Sequence, residues 1–406
     1  MFNILKGKFF LFVLLLIVGL SLFFAFNSQT QDDKIFQEIQ KFKETQATFV
    51  EISDYFKTLA KTEGAEYALL ALAQAPLPGN IDLHLLAHVV GDELYKQQGL
   101  GGIQVCTDEF RNACSHSIVV GALLERGEEA LKDIADICRK APGGSGAYTM
   151  CFHGLGHGVL AYTGYELEDA ILLCKKTGTA EYNNREYIEC VGGTIMEMIG
   201  GGGHDKALWE EKSKKYLKTE DPLYPCTAEF MPSEARGVCY LYITSQLFVA
   251  AGGNLGFPTP IDFEKAFKFC NVIPKTERGG RNACFGGFGK EFVVLANDRD
   301  IRTVDQMKES QLKTVYEWCL LAKPEDGVSA CIDSAVKSLF WGGENNRSAG
   351  ITFCNAIDNV LHQEKCFESL INEVHYYIND NAYKKEFCDE LPISYVMGCG
   401  TRLLTN

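Results

Sequence analysis

The pattern of apolar and polar positions predicts helices along nearly the whole chain. Apolar residues recur three and four positions apart in segments such as "ALKDIADIC", "LEDAILLC" and "FEKAFKFC", which is the spacing of helices with one buried face. A polar connection follows each segment, often with glycine or proline, and a second apolar segment then begins. Signals for strands are few. The pattern therefore predicts an all-α fold built from helix hairpins.

The N-terminal segment follows a different pattern. Phe9–Phe26 is an 18-residue apolar run preceded by Lys6 and Lys8. At about 1.5 Å rise per residue, the run just spans a hydrocarbon core of about 30 Å. No small-residue cleavage site follows, so we expect an uncleaved transmembrane anchor, with a cleaved signal peptide as the alternative. Both interpretations place the bulk of the chain outside the cytoplasm.

These signals divide the chain into four expected parts. Between Asp33 and Lys61 the apolar positions follow helical spacing, and "APLPGN" at 75–80 then interrupts the chain. The expected parts are a cytoplasmic stub (1–8), a single-pass anchor in the cell membrane (9–26), a stalk helix with a linker (27–79) and a cysteine-rich helical-repeat domain (80–406).

The sixteen cysteines alternate between short and long gaps, and the second member of each close pair recurs every 33 to 49 residues. That period is typical of two-helix repeats, and an even cysteine count outside the cytoplasm predicts disulfides. We expect an α-solenoid of about eight to nine hairpins, each stabilised by roughly 3 kcal/mol through its disulfide. The predicted pairs are Cys106/Cys114, Cys138/Cys151, Cys174/Cys190, Cys226/Cys239, Cys270/Cys284, Cys319/Cys331, Cys354/Cys366 and Cys388/Cys399.

This layout resembles the cysteine-rich helical-repeat proteins of the Sel1-like kind, in which disulfides join successive α/α hairpins. The resemblance covers roughly Asp82 to the C-terminus and is one of architecture. The cysteine gaps here are wider and more variable than in that family. The resemblance implies protein interaction outside the cytoplasm rather than chemistry.

Five of the eight histidines occupy two equivalent positions in three successive repeats. These positions are two and six residues after the second cysteine of a repeat, and Asp82 stands where the earliest of the three repeats would have that cysteine. The five histidines are His84 and His88 in the first repeat, His116 in the second, and His153 and His157 in the third.

Positions two and six lie one turn apart on the same helix face, so the five imidazoles should converge on one patch. Asp92 extends that face by another turn. Histidine pairs at this spacing are typical of zinc, copper or iron sites, and we expect a transition metal bound by members of this set. Neighbouring helices about 8–10 Å apart can share one ion, whereas the first and third can do so only if the array curves sharply. The expected ligands are His84, His88, His116, His153, His157 and Asp92.

The glycines of "CFHGLGHG", at 151–158, are poor helix formers, and we expect them to let this helix lie very close to its neighbours. The "GGGGHD" segment that contains His204 is expected to be a flexible loop. Catalysis stays open, with His153, His157 and Asp92 as the residues that would take part.

Two alternatives accompany the metal hypothesis. One is a haem held by an axial histidine without covalent attachment. Another is a metal-free scaffold that binds a peptide or an envelope protein on its concave face, in which the histidines record only a duplication. The net charge of −14 argues against a nucleic-acid partner, because phosphate binding needs clustered lysine and arginine.

Overall fold

A computed structural model describes most of the 406-residue chain, namely residues 37, 39–40, 42, 47–77, 81–107, 109–142, 144–201, 203–253, 258–342, 347–378 and 380–404. These residues form nineteen α-helices and several 3₁₀ segments, and no strand occurs among them. The predicted all-α class is therefore confirmed. The chain divides into two compact units, Met1–Pro78 and Gly79–Asn406.

The first unit contains two described helices, α1 (Phe49–Thr62) and α2 (Ala65–Gln74). A reciprocal capping box starts α1: the Thr48 hydroxyl accepts from the Glu51 backbone N–H, and the Glu51 carboxylate accepts from the Thr48 backbone N–H. Phe42 stacks on the buried Phe56 with the ring centroids 5.5 Å apart. The part of the predicted stalk helix that precedes residue 47 lies mostly outside the described residues.

The expectation of a transmembrane helix is not supported. Among the described residues, no helix combines the length and the apolar character that crossing a bilayer requires, because these helices bury apolar faces against other helices and keep polar positions elsewhere. Phe9–Phe26, which carried the expectation, lies outside the described residues. A membrane anchor therefore has no structural support.

The second unit contains seventeen described helices. They are α3 (Leu83–Gln98), α4 (Ala113–Arg126), α5 (Leu131–Cys138), α6 (Gly144–Tyr162), α7 (Leu167–Lys175), α8 (Arg185–Gly200), α9 (Lys206–Tyr216), α10 (Arg236–Tyr242), α11 (Thr244–Ala250), α12 (Pro260–Val272), α13 (Arg278–Ala296), α14 (Glu309–Leu320), α15 (Glu325–Gly342), α16 (Arg347–Asn355), α17 (Val360–Tyr377), α18 (Asn381–Glu390) and α19 (Ile393–Leu404).

All eight predicted disulfides are formed, with Cα–Cα distances between 5.5 and 5.7 Å. In six of them the first cysteine lies in the last turn of a helix, as expected. The exceptions are Cys106, which follows a 3₁₀ segment, and Cys226, which lies in the irregular stretch between α9 and α10. Eight disulfides indicate an oxidising, extracytoplasmic compartment.

The helices that carry the second cysteines pack side by side as an inner layer: α4 lies between α3 and α6, α6 packs on α8, and the contacts continue through α10, α13, α15 and α17. The layer curves sharply, since α17 returns to contact α6. The turn before α4 likewise reaches α15, where the Arg111 guanidinium donates to the Ser338 hydroxyl at 3.5 Å. The inner layer thus surrounds a cavity.

Candidate functional site

Three histidines from α3 and α4 form a group with the geometry of a metal site. Asp82 caps α3 by accepting from the Leu85 backbone N–H at 3.0 Å, which starts the helix two residues before His84. His84 and His88 then share one face, and His116 approaches them from α4. Each offers one ring nitrogen, and the three nitrogens lie within 4.8 Å of one another. We call these residues the three-histidine group.

The hydrogen bonds of His84 and His88 fix which ring nitrogen carries the proton. Nδ1 of His84 faces the Phe110 carbonyl oxygen at 2.6 Å, so Nδ1 must be the donor. Nδ1 of His88 lies 3.0 Å from the Ser117 hydroxyl, and this hydroxyl donates its hydrogen to the His88 carbonyl oxygen. The hydroxyl oxygen therefore accepts from His88 Nδ1–H. In the neutral form of both rings, Nε2 is an unprotonated acceptor.

These two acceptors face each other: Nε2 of His84 lies 3.1 Å from Nε2 of His88. Two lone pairs at that distance repel unless a proton or a cation lies between them. Two nitrogens bound to one tetrahedral ion, with bonds of about 2.0–2.1 Å, are separated by about 3.3–3.4 Å. The observed spacing is close to that of two ligands of a single ion.

The electrostatics disfavour a proton at this position. Burial lowers the pKa of His84 to about 4, although its bond to the Phe110 carbonyl acts in the opposite direction. Burial and the neighbouring histidines hold the pKa of both His88 and His116 well below the ordinary value. The three imidazoles are therefore neutral at physiological pH, which is the form that binds metals.

His116 is buried at 1 % exposure, and neither of its ring nitrogens has a hydrogen-bond partner among the described residues. Buried polar atoms without partners are uncommon and call for an explanation. Gly154 of α6 packs against this ring, because a Cβ at that position would lie 2.3 Å from the His116 Cδ2 atom. The expectation that the glycines of "CFHGLGHG" permit close helix packing is confirmed at this contact.

The third repeat brings two further predicted ligands beside the group. The His157 ring centroid lies 5.8 Å from that of His116 and 6.1 Å from that of His88. The His153 centroid lies 5.8 Å from that of His116. Nε2 of His157 and Nδ1 of His153 are buried without a hydrogen-bond partner in the described part of the chain. Curvature of the inner layer thus brings the first and third repeats into contact.

A carboxylate that the sequence patterns did not single out orients the far side of this cluster. Glu197 of α8 accepts from Nδ1 of His157 at 3.1 Å and from Nδ1 of His204 at 3.2 Å. Tyr165 donates to the same carboxylate at 2.9 Å. Burial alone would raise the pKa of Glu197, but its histidine hydrogen bonds lower it strongly, so the group is ionised.

The segment that contains His204 is irregular, as the loop prediction for "GGGGHD" expects, but it brings His204 beside the cluster. Its ring is 6.4 Å from the His88 ring between centroids, and its backbone N–H also donates to Glu197 at 3.2 Å. Burial acts against protonation, but the Glu197 carboxylate raises the pKa of His204. A histidine next to four glycines carried no repeat register, so only the tertiary structure reveals its place in the cluster.

Asp92 lies one turn beyond His88, as expected, but it is exposed and falls outside the three-histidine group. Although the residue is exposed overall, its carboxyl group is desolvated by packed neighbours, which raises its pKa, and the nearby His204 acts in the opposite direction.

The three-histidine group forms part of the wall of the central cavity, which has a volume of about 820 Å³. His84 and His116 reach this cavity directly, and so does His153. Sites for small organic ligands have volumes of about 300–1,000 Å³. An ion bound by the group would therefore have an open side toward a space of ligand size.

A strained turn positions both the group and a cavity arginine. Phe110, Arg111 and Asn112 have φ values of 54°, 56° and 64°, a run of left-handed conformations in side-chain-bearing residues. Such backbone costs about 1–3 kcal/mol per residue and persists where the surroundings enforce it. The turn delivers the Phe110 carbonyl to His84 and places Arg111 at the cavity.

The chain matches no protein-family model, no curated protein and no solved structure. A function must therefore be inferred from the site itself.

Proposed function

We propose that this protein is an extracytoplasmic helical-repeat protein that binds one transition-metal ion, with Zn²⁺ as the best-fitting ion, through the three-histidine group. The ligand atoms are Nε2 of His84, Nε2 of His88 and one ring nitrogen of His116. The observation that carries the proposal is the 3.1 Å contact between the two Nε2 atoms, which the hydrogen bonds of the two Nδ1 atoms assign as unprotonated. Neutral imidazoles suit zinc, copper or iron, and an all-histidine set fits tetrahedral zinc.

The surroundings of the group support this role. The hydrogen bonds from Nδ1 of His84 to the Phe110 carbonyl and from Nδ1 of His88 to Ser117 resemble the outer contacts that orient metal-binding histidines. Three protein ligands leave a coordination position open, which is typical of catalytic rather than structural zinc. When bound, the ion would supply a Lewis acid that activates water or polarises a carbonyl facing the cavity.

The remaining predicted ligands take other roles in this proposal. His157 shields the group on the α6 side, with Glu197 holding its ring in place. His153 lies at the cavity wall beside His116. A catalytic function of either residue needs a substrate before it can be assigned.

Metal analysis tests the proposal. The full chain, with its disulfides intact, would be stripped with a chelator, reloaded with zinc, desalted and analysed for zinc per chain. We expect one zinc ion in the wild type and in His375→Ala, a matched control because His375 is an exposed histidine at the end of α17. His88→Ala should retain less than about a tenth of that zinc, since a ligand of an open site is lost.

Zinc bound equally by wild type and His88→Ala would contradict the proposal. Absence of zinc, copper and iron in the wild type would do so as well. Absence of metal would favour the metal-free scaffold that binds a peptide or an envelope protein, whereas equal zinc binding would place the ion at other ligands.

A further inference from the structure

The central cavity carries a different charge from the rest of the chain. Five cationic side chains and four carboxylates line it, whereas the whole chain has a net charge of −14. Most of the cavity cations are already engaged; for example, Arg185 pairs with Glu189 at 3.6 Å and Lys337 with Asp333 at 2.8 Å. Two cations, Arg111 and Lys290, have no carboxylate within 4.0 Å among the described residues.

The sequence "RNAC" occurs twice, at 111–114 and at 281–284, and Arg111 of the first copy differs from Arg281 of the second. Arg281 lies inside α13 and is buried, and its guanidinium donates to the carbonyls of Cys270 and Ile273 at 3.0 and 3.1 Å and to Asp326 at 2.6 Å. Arg111 stands on the left-handed turn at the cavity wall, and within the described part of the chain the one hydrogen bond of its guanidinium is the long 3.5 Å contact with Ser338. The same four-residue sequence thus contains one arginine, Arg281, whose donors bind groups within the fold, and another, Arg111, whose guanidinium has donors available for a ligand.

Lys290 lies on the inner face of α13, six residues after Cys284. Its ammonium group is 4.2 Å from the centroid of the Tyr242 ring. Burial lowers the pKa of Lys290 to about 8; the adjacent Glu291 opposes this effect, and the charge of Arg111 adds to it. Arg111 follows Phe110, whose carbonyl oxygen lies 2.6 Å from Nδ1 of His84, and it lines the same cavity as Lys290. Arg111 is therefore next to a residue that contacts the three-histidine group, at a cavity that Lys290 shares.

We infer that the cavity binds a small organic anion, a carboxylate or a phosphate ester, whose charged oxygens bind Arg111 and Lys290 while its other end faces the three-histidine group. The guanidinium fork and the ammonium group suit such oxygens, and a ligand would supply the partners that these cations lack. The side chains of Leu241 and Tyr242 also line the cavity, where they would pack against the apolar part of the ligand. The placement of the ligand's other end at the three-histidine group rests on the proposed function, whereas the contact of its charged oxygens with Arg111 and Lys290 does not depend on a metal.

Calorimetric titration of the full chain with two probes, benzoate and phenyl phosphate, tests the inference. Each titration would be made on metal-free and on zinc-loaded protein. We expect at least one probe to bind the metal-free wild type, and Arg111→Gln and Lys290→Gln each to weaken that binding about 10-fold or more, the loss expected for one charge-assisted contact. Arg111→Lys should retain part of the affinity because it keeps the charge.

Lys132→Gln provides the matched control, since Lys132 is an exposed lysine of α5 that pairs with Asp136 and lies outside the cavity. It should bind the probe as the wild type does. Circular dichroism and melting curves would show that each variant is folded. The better of the two probes distinguishes a carboxylate ligand from a phosphate ligand.

Failure of both probes to bind the wild type would overturn the inference, and so would folded Arg111→Gln and Lys290→Gln proteins that bind the better probe as tightly as Lys132→Gln. Probe binding to metal-free protein, together with an absence of metal binding, would contradict the proposed function and support the anion site. Zinc binding without probe binding would support the proposed function and contradict the anion site.

Discussion

Two side-chain pairs at equivalent repeat positions show how one architecture carries different chemistry. In α3 the pair is His84 and His88, and in α15, six inner helices further along, it is Asp333 and Lys337. The carboxylate and ammonium groups of α15 form an ion pair at 2.8 Å that is complete without any ligand. The histidine pair of α3 places two acceptor nitrogens 3.1 Å apart, and this arrangement requires a cation or a proton between them.

The comparison bears on whether the histidines merely record a duplication. A duplication copies a position, and the repeat register then gives each copy the same place on an inner helix. It does not by itself create two unprotonated nitrogens that converge with a third. The α15 pair shows that side chains at these positions can pair with each other without any ligand.

The largest expected difference comes from deleting each pair. The double variant His84→Ala/His88→Ala should lose zinc affinity by about 1,000-fold or more, because one ligand nitrogen of three remains. Asp333→Ala/Lys337→Ala should bind zinc like the wild type and change the free energy of unfolding by about 1 kcal/mol or less, since half-exposed ion pairs contribute little. Zinc titrations against a chromophoric chelator measure the affinities of both double variants, and similar affinities would show that the α3 pair does not bind the ion.

A smaller effect is expected from crowding His116. Gly154→Ala places a Cβ 2.3 Å from the His116 Cδ2 atom, so the ring must move. We expect a loss of about 1–3 kcal/mol in the free energy of unfolding, the usual cost of overpacking, together with weaker zinc binding. Ser334 occupies the equivalent position of α15, three residues after Cys331, and Ser334→Ala should leave zinc affinity unchanged. Wild-type zinc affinity in a destabilised Gly154→Ala protein would place His116 outside the site.

Ser117 gives a finer test, because it orients His88 without touching the proposed ion. Ser117→Ala removes the acceptor for Nδ1–H of His88. Loss of such an outer contact typically lowers metal affinity by about 10–100-fold. Ser369, the hydroxyl that bonds Asp333 in the other pair, is the matched control. If Ser117→Ala and Ser369→Ala bind zinc equally well, the tautomer assignment of His88 is wrong.

The smallest expected difference is in acid stability. The pKa of His84 is lowered to about 4 in the folded protein from an ordinary 6.5, so the unfolded chain binds more protons between these values. Metal-free protein should therefore lose stability as the pH falls through this interval, by about 1–3 kcal/mol from this residue. Burial acts against the charge of Lys337, but its acidic neighbours raise its pKa, so it titrates only in alkali.

Denaturant unfolding at a series of pH values compares the two pairs. His84→Gln should flatten the acid limb relative to the wild type, whereas Lys337→Gln should run parallel to it. Equal acid slopes in all three proteins would show that His84 is not buried in its neutral form.

The sequence predicts the parts of the molecule that depend on local pattern. Alternating cysteine gaps predict all eight disulfides, and helical spacing predicts hairpins such as α5 with α6. The shared register places His84, His88 and His116 on adjacent inner helices. Each of these predictions uses spacing along one or two elements, which sequence records directly.

The remaining features depend on the path of irregular segments and on curvature. The glycine-rich segment before His204 has no periodicity, yet it brings the ring to within 6.4 Å of the His88 ring. The left-handed turn at Phe110–Asn112 includes Phe110 and Arg111, two residue types that rarely adopt this conformation, so the contrast between Arg111 and Arg281 is invisible in two identical phrases. The angle between successive helices, which decides whether α3 and α6 meet, is set by packing.

X-ray absorption at the zinc edge tests the central claim most directly. Zinc-loaded wild-type protein should show a tetrahedral shell in which three ligands are imidazoles with Zn–N distances of about 2.0–2.1 Å, and the imidazole signal should vanish in His84→Ala/His88→Ala. A shell made only of oxygen ligands, or a spectrum unchanged in that double variant, would contradict the assignment of the metal to the three-histidine group.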